Sequence, residues 1–448
     1  MAEMLGISAS YLNLIEHDRR PLTAPLLIKL AQSFEVDIQD FATDDSSILA
    51  NGLLEMFGDP LFDGFELRAP EVRELALGNP NVARAVMALY ESYRTALEST
   101  ETLASRVSET GGVAGVELSP AEEVTALLQR HGNYFAELEE AAETLWSVAR
   151  LDAQTMYRGL VRYLMEAHGV LVKVVPGDPQ VLRRFDTERR RLVLSEVLAP
   201  RSKNFQLAHQ IALLSHGAIL DRIVEDGTLN STSSRALGRV VLANYFAGCV
   251  LMPYQLSLEA ARAVRYDIEM LGHRFRTSFE QVCHRLTSLR RPGAEGVPFH
   301  MVRVDIAGNI SKRFSASGIR FARYSGACPR WNVYNAFLTP GMIRTQVSEM
   351  PDGSRFFCMA RTVRRHTGGY HDPHSMHAIG LGCALEHAKE LVYADNVDLQ
   401  SQPVPIGVSC RMCPRIDCDQ RAFPPMERPL RVDENIRAAS VYTPPVDD

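Results

Sequence analysis

No cysteine occurs before Cys249, positive charge is in the minority, and no apolar run is long enough to span a membrane. Each absence excludes something. Lysine and arginine number 48 against 54 aspartates and glutamates, leaving the 448-residue chain at net −6. It therefore has no bulk attraction to nucleic acid or to an acidic membrane surface, and any such contact must come from a local site. The longest apolar run, Val240 to Pro253, is interrupted by Asn244 and falls short of the ~20 residues a membrane helix needs. No basic stretch precedes an apolar one at the start, so no secretory signal is expected. The chain reads as cytoplasmic, with no membrane partner.

What is present suits a folded protein. Hydrophobic residues make up 46% of the chain, and the length accommodates about three domains of ~150 residues. All eight cysteines lie from position 249 onward, and six fall between Cys328 and Cys418. In a reducing compartment such a cluster points to metal binding or redox chemistry rather than to disulfides.

From Ala2 the chain reads AEMLGISASYLNLIEHDRRPLTAPLLIKLAQSF. Gly6 suits a tight turn between two helices, and Ser8 is a good N-cap for the second. Leu12 and Ile15 then face inward, leaving Ser8, Ala9, Ser10 and Asn13 outward. Short polar side chains there can touch base edges, while Arg19 and Arg20 can reach phosphates. Leu26, Leu27, Leu30 and Phe34 form an apolar stripe that closes a small bundle. The pattern resembles the helix-turn-helix of the Xre/Cro repressors, entered inside its second helix. That truncation predicts that DNA binding needs a first helix encoded upstream. Residues 1–43 carry three basic and six acidic residues, net −3.

Residues 44–65 read as loop, with Gly58, Pro60 and Gly64 as breakers. Val82, Val86, Leu89, Tyr93 and Leu97 mark one face of a long helix, interrupted by Gly111 and Gly112. Residues 44–150 are thus expected to be a helical linker, either a dimer interface or packed on its own chain. Helices are predicted through Trp146 and from Asp152 to His168, and a strand over Val170–Val175. Leu182–Phe185 and Arg191–Leu194 are expected to form a hairpin with the basic run Arg189–Arg191 on its edge. A helix follows over Asn204–His216, FQLAHQIALLSHG. A zinc peptidase needs H-E-x-x-H, two histidines one turn apart and a glutamate to activate water. Here Gln210 follows His209 and Leu213 stands at the second ligand position, so neither hydrolysis nor zinc is expected. Strand, hairpin and helix over 151–291 resemble the ImmA/IrrE metallopeptidase-like domain with its motif lost. Leu237–Met252 reads as a buried helix, and the following IEMLGHRFRTSFEQVCHRLTSL as two short helices, the second capped by Ser278.

After Arg291-Pro292-Gly293 the texture becomes short strands and turns. Strands are predicted over Met301–Asp305, Ile319–Tyr324, Ile343–Ser348 and Phe356–Ala360, and a short helix over Glu386–Tyr393. Residues 292–448 thus form an α+β sensor-like domain, and the whole a multidomain α+β protein. Cys410, Cys413 and Cys418 give C-x2-C-x4-C, three thiols able to close over one metal centre. Cys383 is the first choice for a fourth ligand and Cys328 the second, while Cys358 reads as core. Spacing alone leaves an iron–sulfur cluster, zinc and structural thiols open. His366, His371, His374 and His377 read as a mobile exposed loop.

With PFHMVRVD, CPRWNVYNAF, PDG, GLGC and SCRMCPRIDCDQRAFPP, almost the whole chain resembles the short-chain fatty-acyl transcriptional regulators, which act on propionate and glyoxylate metabolism. The resemblance implies a dimeric, non-enzymatic transcription factor that binds operator DNA and, through its C-terminal half (292–448), a short-chain acyl-CoA. It also implies that the terminal cysteines hold a 4Fe–4S cluster, with zinc as the alternative metal. An acyl-CoA site needs cations for phosphates and an apolar slot. Arg320, Arg323, Arg330 and Arg344 are available, with Trp331, Tyr334 and Phe337 as walls. The competing readings are an iron–sulfur redox sensor and, disfavoured by Gln210 and Leu213, a metallopeptidase.

Overall fold

The computed structural model describes residues 2–5, 7–16, 26, 29, 44–62, 65, 67–94, 120–176, 181–225, 229–321, 327–365, 374–410 and 413–423. The chain divides into two compact units. The smaller comprises 1–116, 322–326 and 409–448, and the larger 117–321 and 327–408.

In the smaller unit, α1 (Ala2–Leu5) and α2 (Ala9–Glu16) are short. Ser8 caps α2 as expected, its Oγ accepting from the Tyr11 amide at 3.2 Å. Leu27, Leu30 and Phe34 lie outside the described residues. The predicted loop at 44–65 is instead largely helix: α3 spans Asp44–Met56, and the breakers Gly58 and Pro60 fall after it. Leu53 and Met56 are fully buried against Val72 and Ala76 of α4 (Ala69–Gly78) and Tyr90 of the helical stretch 80–94. Asp59 fastens this cluster by accepting from Tyr90 Oη (2.7 Å) and Arg94 Nη1 (3.0 Å).

The larger unit opens with α5 (Pro120–Arg130), α6 (Ala136–Val148) and α7 (Met156–His168). A three-stranded sheet follows: β1 (Leu171–Val175), β2 (Arg183–Asp186) and β3 (Arg191–Ser195), ordered β1-β3-β2. β2 and β3 form the expected antiparallel hairpin, and β1 runs parallel to β3. Leu192 and Leu194 turn into the core against α8 (Pro200–Ser215). Next come α9 (Gly217–Val224), α10 (Thr232–Leu251), α11 (Tyr254–Ala263), α12 (Ile268–Phe275) and α13 (Phe279–Thr287). Three of these have the side-chain caps their sequences encode: Ser231 for α10, Asp267 for α12, and Ser278 with Gln281 for α13. The apolar run at Val240–Pro253 is core helix, with Leu242, Phe246 and Val250 fully buried. No single helix among the described residues is long and apolar enough to cross a membrane.

The six-stranded sheet comprises β4 (His300–Asp305), β5 (Ile310–Ser315), β6 (Arg344–Glu349), β7 (Arg355–Arg365), β8 (Ser375–Ala384) and β9 (Val404–Pro405). Its order is β5-β4-β8-β7-β6-β9, antiparallel except for β6–β9. Both faces of its centre are covered. Met301, Phe357, Met359 and Leu381 join the main helical core, while Val302, Val304, Cys358 and Ala360 pack on Trp331 and Val333 beside the short helix α14 (Asn332–Asn335). Two expectations change. Residues 319–321 carry no strand, and the rest of the predicted Ile319–Tyr324 strand lies outside the described residues. Glu386–Tyr393 winds as two 3-10 turns rather than an α-helix. His377 sits within β8, whereas His366 and His371 are outside the described residues.

Candidate functional site

α8 carries the relict peptidase motif. His209 and Gln210 are buried, 2% and 3% exposed. His209 Nδ1 lies 2.8 Å from Asn244 Oδ1 on α10, and its Nε2 has no partner. Burial and the Arg183 charge push its pKa down to about 4, against the pull of the Asn244 hydrogen bond. Two turns along, His216 packs on Phe246 at 4.9 Å between ring centroids. The helix and its first histidine persist, but Leu213 carries no lone pair and Gln210 no base.

The same helix forms part of the rim of a large cavity. About 810 Å³ of space lies among α6, α7, α8, α10, α11 and α12, walled by Trp146, Met156, Tyr157, Leu251, Leu256 and Phe275. Arg201 and Lys203 sit in the first turn of α8, and Arg274 and Arg276 come from the end of α12; Glu259 is the acid on the wall. The first turn of α8 has no acidic residue, and its N-cap, Ala199, offers no side-chain acceptor. The positive end of the helix dipole therefore adds to the cations. An apolar slot with a cationic helix terminus is suited to an amphipathic anion.

The residues expected to hold an acyl-CoA are placed elsewhere. Trp331 is 5% exposed, donates from Nε1 to the Gly407 carbonyl (2.9 Å) and stacks on Tyr334 at 6.4 Å. It lines a void of only about 20 Å³ with His300, Phe321 and Cys358, room for about one water. The expected slot at Trp331, Tyr334 and Phe337 is thus packed core. Arg344 is exposed and donates to Thr339 Oγ1 (2.8 Å). Arg320 is also exposed, the Arg330 carbonyl accepts from Gln346 Nε2 (3.1 Å), and Arg323 lies outside the described residues. Sequence reasoning missed Arg201, Lys203, Arg274 and Arg276. The available signal was Pro200-Arg201-Ser202-Lys203, two cations in a helix's first turn, where the dipole disfavours them unless an anion sits there.

In the smaller unit, Arg421 organises the cysteine loop. It is 5% exposed and donates to the carbonyls of Cys410 (2.6 Å), Cys413 (2.7 Å), Phe423 (3.2 Å) and Arg415. The Ala422 amide points at Cys410 Sγ, 3.4 Å away. Burial raises the Cys413 thiol pKa. Among the described residues, no group of three or more His, Cys, Asp or Glu is placed to hold a metal ion. The donor set nevertheless fits a thiolate-bound group in chemistry: three thiols on a loop pinned by one guanidinium, with an amide donor to sulfur. Cys383 belongs to the larger unit, opposite Phe357 on β8 and fully buried in the main core, where burial pushes its thiol up. Cys328 is also in the larger unit, its amide donating to Val408 (3.1 Å).

On the first helices, Ser8 and Asn13 are exposed while Leu5 is buried. Ala9 and Ser10 open α2, and Arg19 and Arg20 lie outside the described residues.

Three family profiles match the chain in order. Residues 1–41 match a helix-turn-helix, 165–287 an IrrE N-terminal-like domain, and 288–442 the C-terminal domain of short-chain fatty acyl coenzyme A regulators. The chain is 41% identical to the HTH-type transcriptional regulator RamB of Mycobacterium tuberculosis, over 99% of this chain and 94% of that one. It is 39% identical to the propionyl-CoA carboxylase regulator of Cereibacter sphaeroides, covering 98% and 94%. It is 37% identical to the HTH-type transcriptional regulator PrpR of M. tuberculosis, covering 99% and 92%. A solved M. tuberculosis transcriptional regulator superposes with a TM-score of 0.70 at 40% identity, covering 72% of this chain and 99% of that one.

Proposed function

The chain belongs to the short-chain fatty acyl coenzyme A regulator family, and from that premise we propose that a short-chain acyl-CoA in the α8-rimmed cavity sets its hold on DNA. It is a DNA-binding transcriptional regulator of short-chain acyl metabolism. The observation that carries the effector site is the cavity itself. Its volume of about 810 Å³ is within the roughly 300–1,000 Å³ usual for ligand sites. The cationic side chains of Arg201 and Lys203 receive phosphates, and Trp146, Tyr157 and Leu256 cover the apolar remainder. Binding that favours one arrangement of the molecule over another shifts the population with the better or worse fit to an operator. The experiment is operator affinity by fluorescence anisotropy with and without propionyl-CoA and acetyl-CoA. A coupling of roughly 5–150-fold is expected, and an affinity unchanged by any acyl-CoA contradicts the reading.

Cys410, Cys413 and Cys418 are proposed to hold three corners of a 4Fe–4S cluster, with zinc as the alternative. Arg421 supports this by fixing the loop's carbonyls, and the Ala422 amide by donating to Cys410 Sγ. Such a cluster supplies one-electron redox chemistry. Anaerobic protein should be brown, absorbing at about 400 nm, and Cys413→Ser should lower its iron content. Cluster loss that alters DNA binding while the fold persists would make redox state the input; unchanged binding would make the cluster structural. A homodimer is proposed on the stripe Val82, Leu89 and Tyr93 of the smaller unit, 52%, 72% and 37% exposed along one helix.

A further inference from the structure

Close enough to His209 of the relict peptidase motif for its charge to act on it stands an arginine, Arg183. Arg183 pairs with Leu194 across β2 and β3, so its side chain leaves the sheet on the face of the fully buried Leu192 and Leu194. A guanidinium there cannot shed its proton. Its Nη1 is buried without a hydrogen-bond partner, and burial destabilises its charge with no acid acting in compensation. Within reach of its charge is His209, 2% exposed, whose Nε2 is likewise buried and unpartnered. Nδ1 makes the hydrogen bond to Asn244 Oδ1, so Nδ1 carries the proton and Nε2 is a bare lone pair. Among the described residues neither Nη1 of the half-buried Arg183 nor Nε2 of the buried His209 has a partner, and each such group is costly. An anion taken up together with a proton satisfies both.

We propose that this pair of unpartnered groups, Arg183 Nη1 and His209 Nε2, binds a small oxyanion, the carboxylate or phosphoryl group of a metabolite. The anion neutralises the guanidinium, and His209 Nε2 takes one proton from solvent to become a second N–H donor. For a singly charged anion the two uptakes balance, so the net charge of the site stays at that of the one guanidinium. The groups acting on His209 are Arg183 from β2 and Asn244 from α10; His216 lies two turns along α8, beside His168 of α7. Neither Arg183 nor His209 lines the cavity assigned to acyl-CoA, so the two assignments succeed or fail separately.

The test uses the full chain with sodium propionate and sodium phosphate as probes, against sodium chloride at matched ionic strength. Melting temperature and histidine NMR are followed together. The expected result is a saturable rise in melting temperature with one or both oxyanions and none with chloride. The His209 titration midpoint should climb by more than one pH unit from about 4. Arg183→Gln should remove both effects, and Arg183→Lys, which keeps the charge but loses the planar fork, should retain part of them. A response to propionate alone assigns a carboxylate, and to phosphate alone a phosphoryl group. No saturable rise with either, or an equal rise in Arg183→Gln, overturns the proposal. Should Arg183→Gln fail to fold, a wild-type His209 midpoint unmoved by saturating oxyanion overturns it equally.

Discussion

Glu139 and Arg285 show how the helical core tolerates charge. Their side chains are 1% and 2% exposed and joined by two hydrogen bonds of 2.6 and 2.8 Å, with Tyr245 Oη donating to Glu139 at 2.7 Å. Burial raises the Glu139 pKa, but the Arg285 charge and hydrogen bonds outweigh it, so the carboxyl stays ionised. Removing one partner strands the other: Arg285→Met should cost about 3–5 kcal/mol of unfolding free energy, read by urea denaturation. Two buried histidines set a pH dependence. Burial pushes His300 down to about 3, and burial with Arg183 pushes His209 down to about 4, whereas the unfolded chain takes up these protons near 6.5. Between those values the folded state binds fewer protons, so stability should fall as pH drops from about 6.5 toward 4 and be fully present above that window. Urea midpoints at pH 4.5 and 7.5 check the sign, and His300→Gln should shrink the difference. At this scale the broken H-E-x-x-H motif was legible, because Gln210 and Leu213 stand at the base and second-ligand positions after His209. The orphaned Arg183 was not, since a lone arginine in a hairpin reads as a solvated edge until register shows its face.

Elements were legible where local chemistry settles them, as in the caps Ser8 and Ser278 and the β2–β3 hairpin. They were misread where packing overrides composition. Asp44–Met56 contains Gly52 and an acidic, polar start, yet it is helix because Leu53 and Met56 bury completely against α4. Gly380 and Gly382, residues of weak strand preference, lie inside β8. Close approach explains their place: a Cβ on Gly382 would sit 2.5 Å from His300 Nε2 and 2.7 Å from the Phe357 carbonyl oxygen. Gly382→Ala should therefore destabilise the sheet by about 1–3 kcal/mol, seen as a lower denaturation midpoint, while Gly353→Ala in the exposed β6–β7 turn tests only the left-handed φ of 85°. On helix 80–94, Leu89→Glu should shift the mass by light scattering from dimer to monomer without loss of helicity. An unchanged mass removes that stripe from the interface.

For the molecule as a whole, the order of regions was readable because each carries its own texture: a capped helix pair, a degenerate peptidase helix, then strands and cysteines. The cavity proposed for the effector was not, because its walls come from six helices and a strand spread over residues 146–276, and no sequence window contains more than a part of it. Reasoning from residue type placed the ligand beside Trp331, where aromatic rings and arginines cluster in sequence; packing fills that place and opens the space beside α8 instead. The most direct measurement is isothermal titration of propionyl-CoA into the full chain and into the Arg201→Glu/Lys203→Glu variant. The account predicts saturable binding at one ligand per chain, weakened at least tenfold in the variant, about 1.4 kcal/mol or more. Absence of binding, or equal affinity in the two proteins, would contradict it.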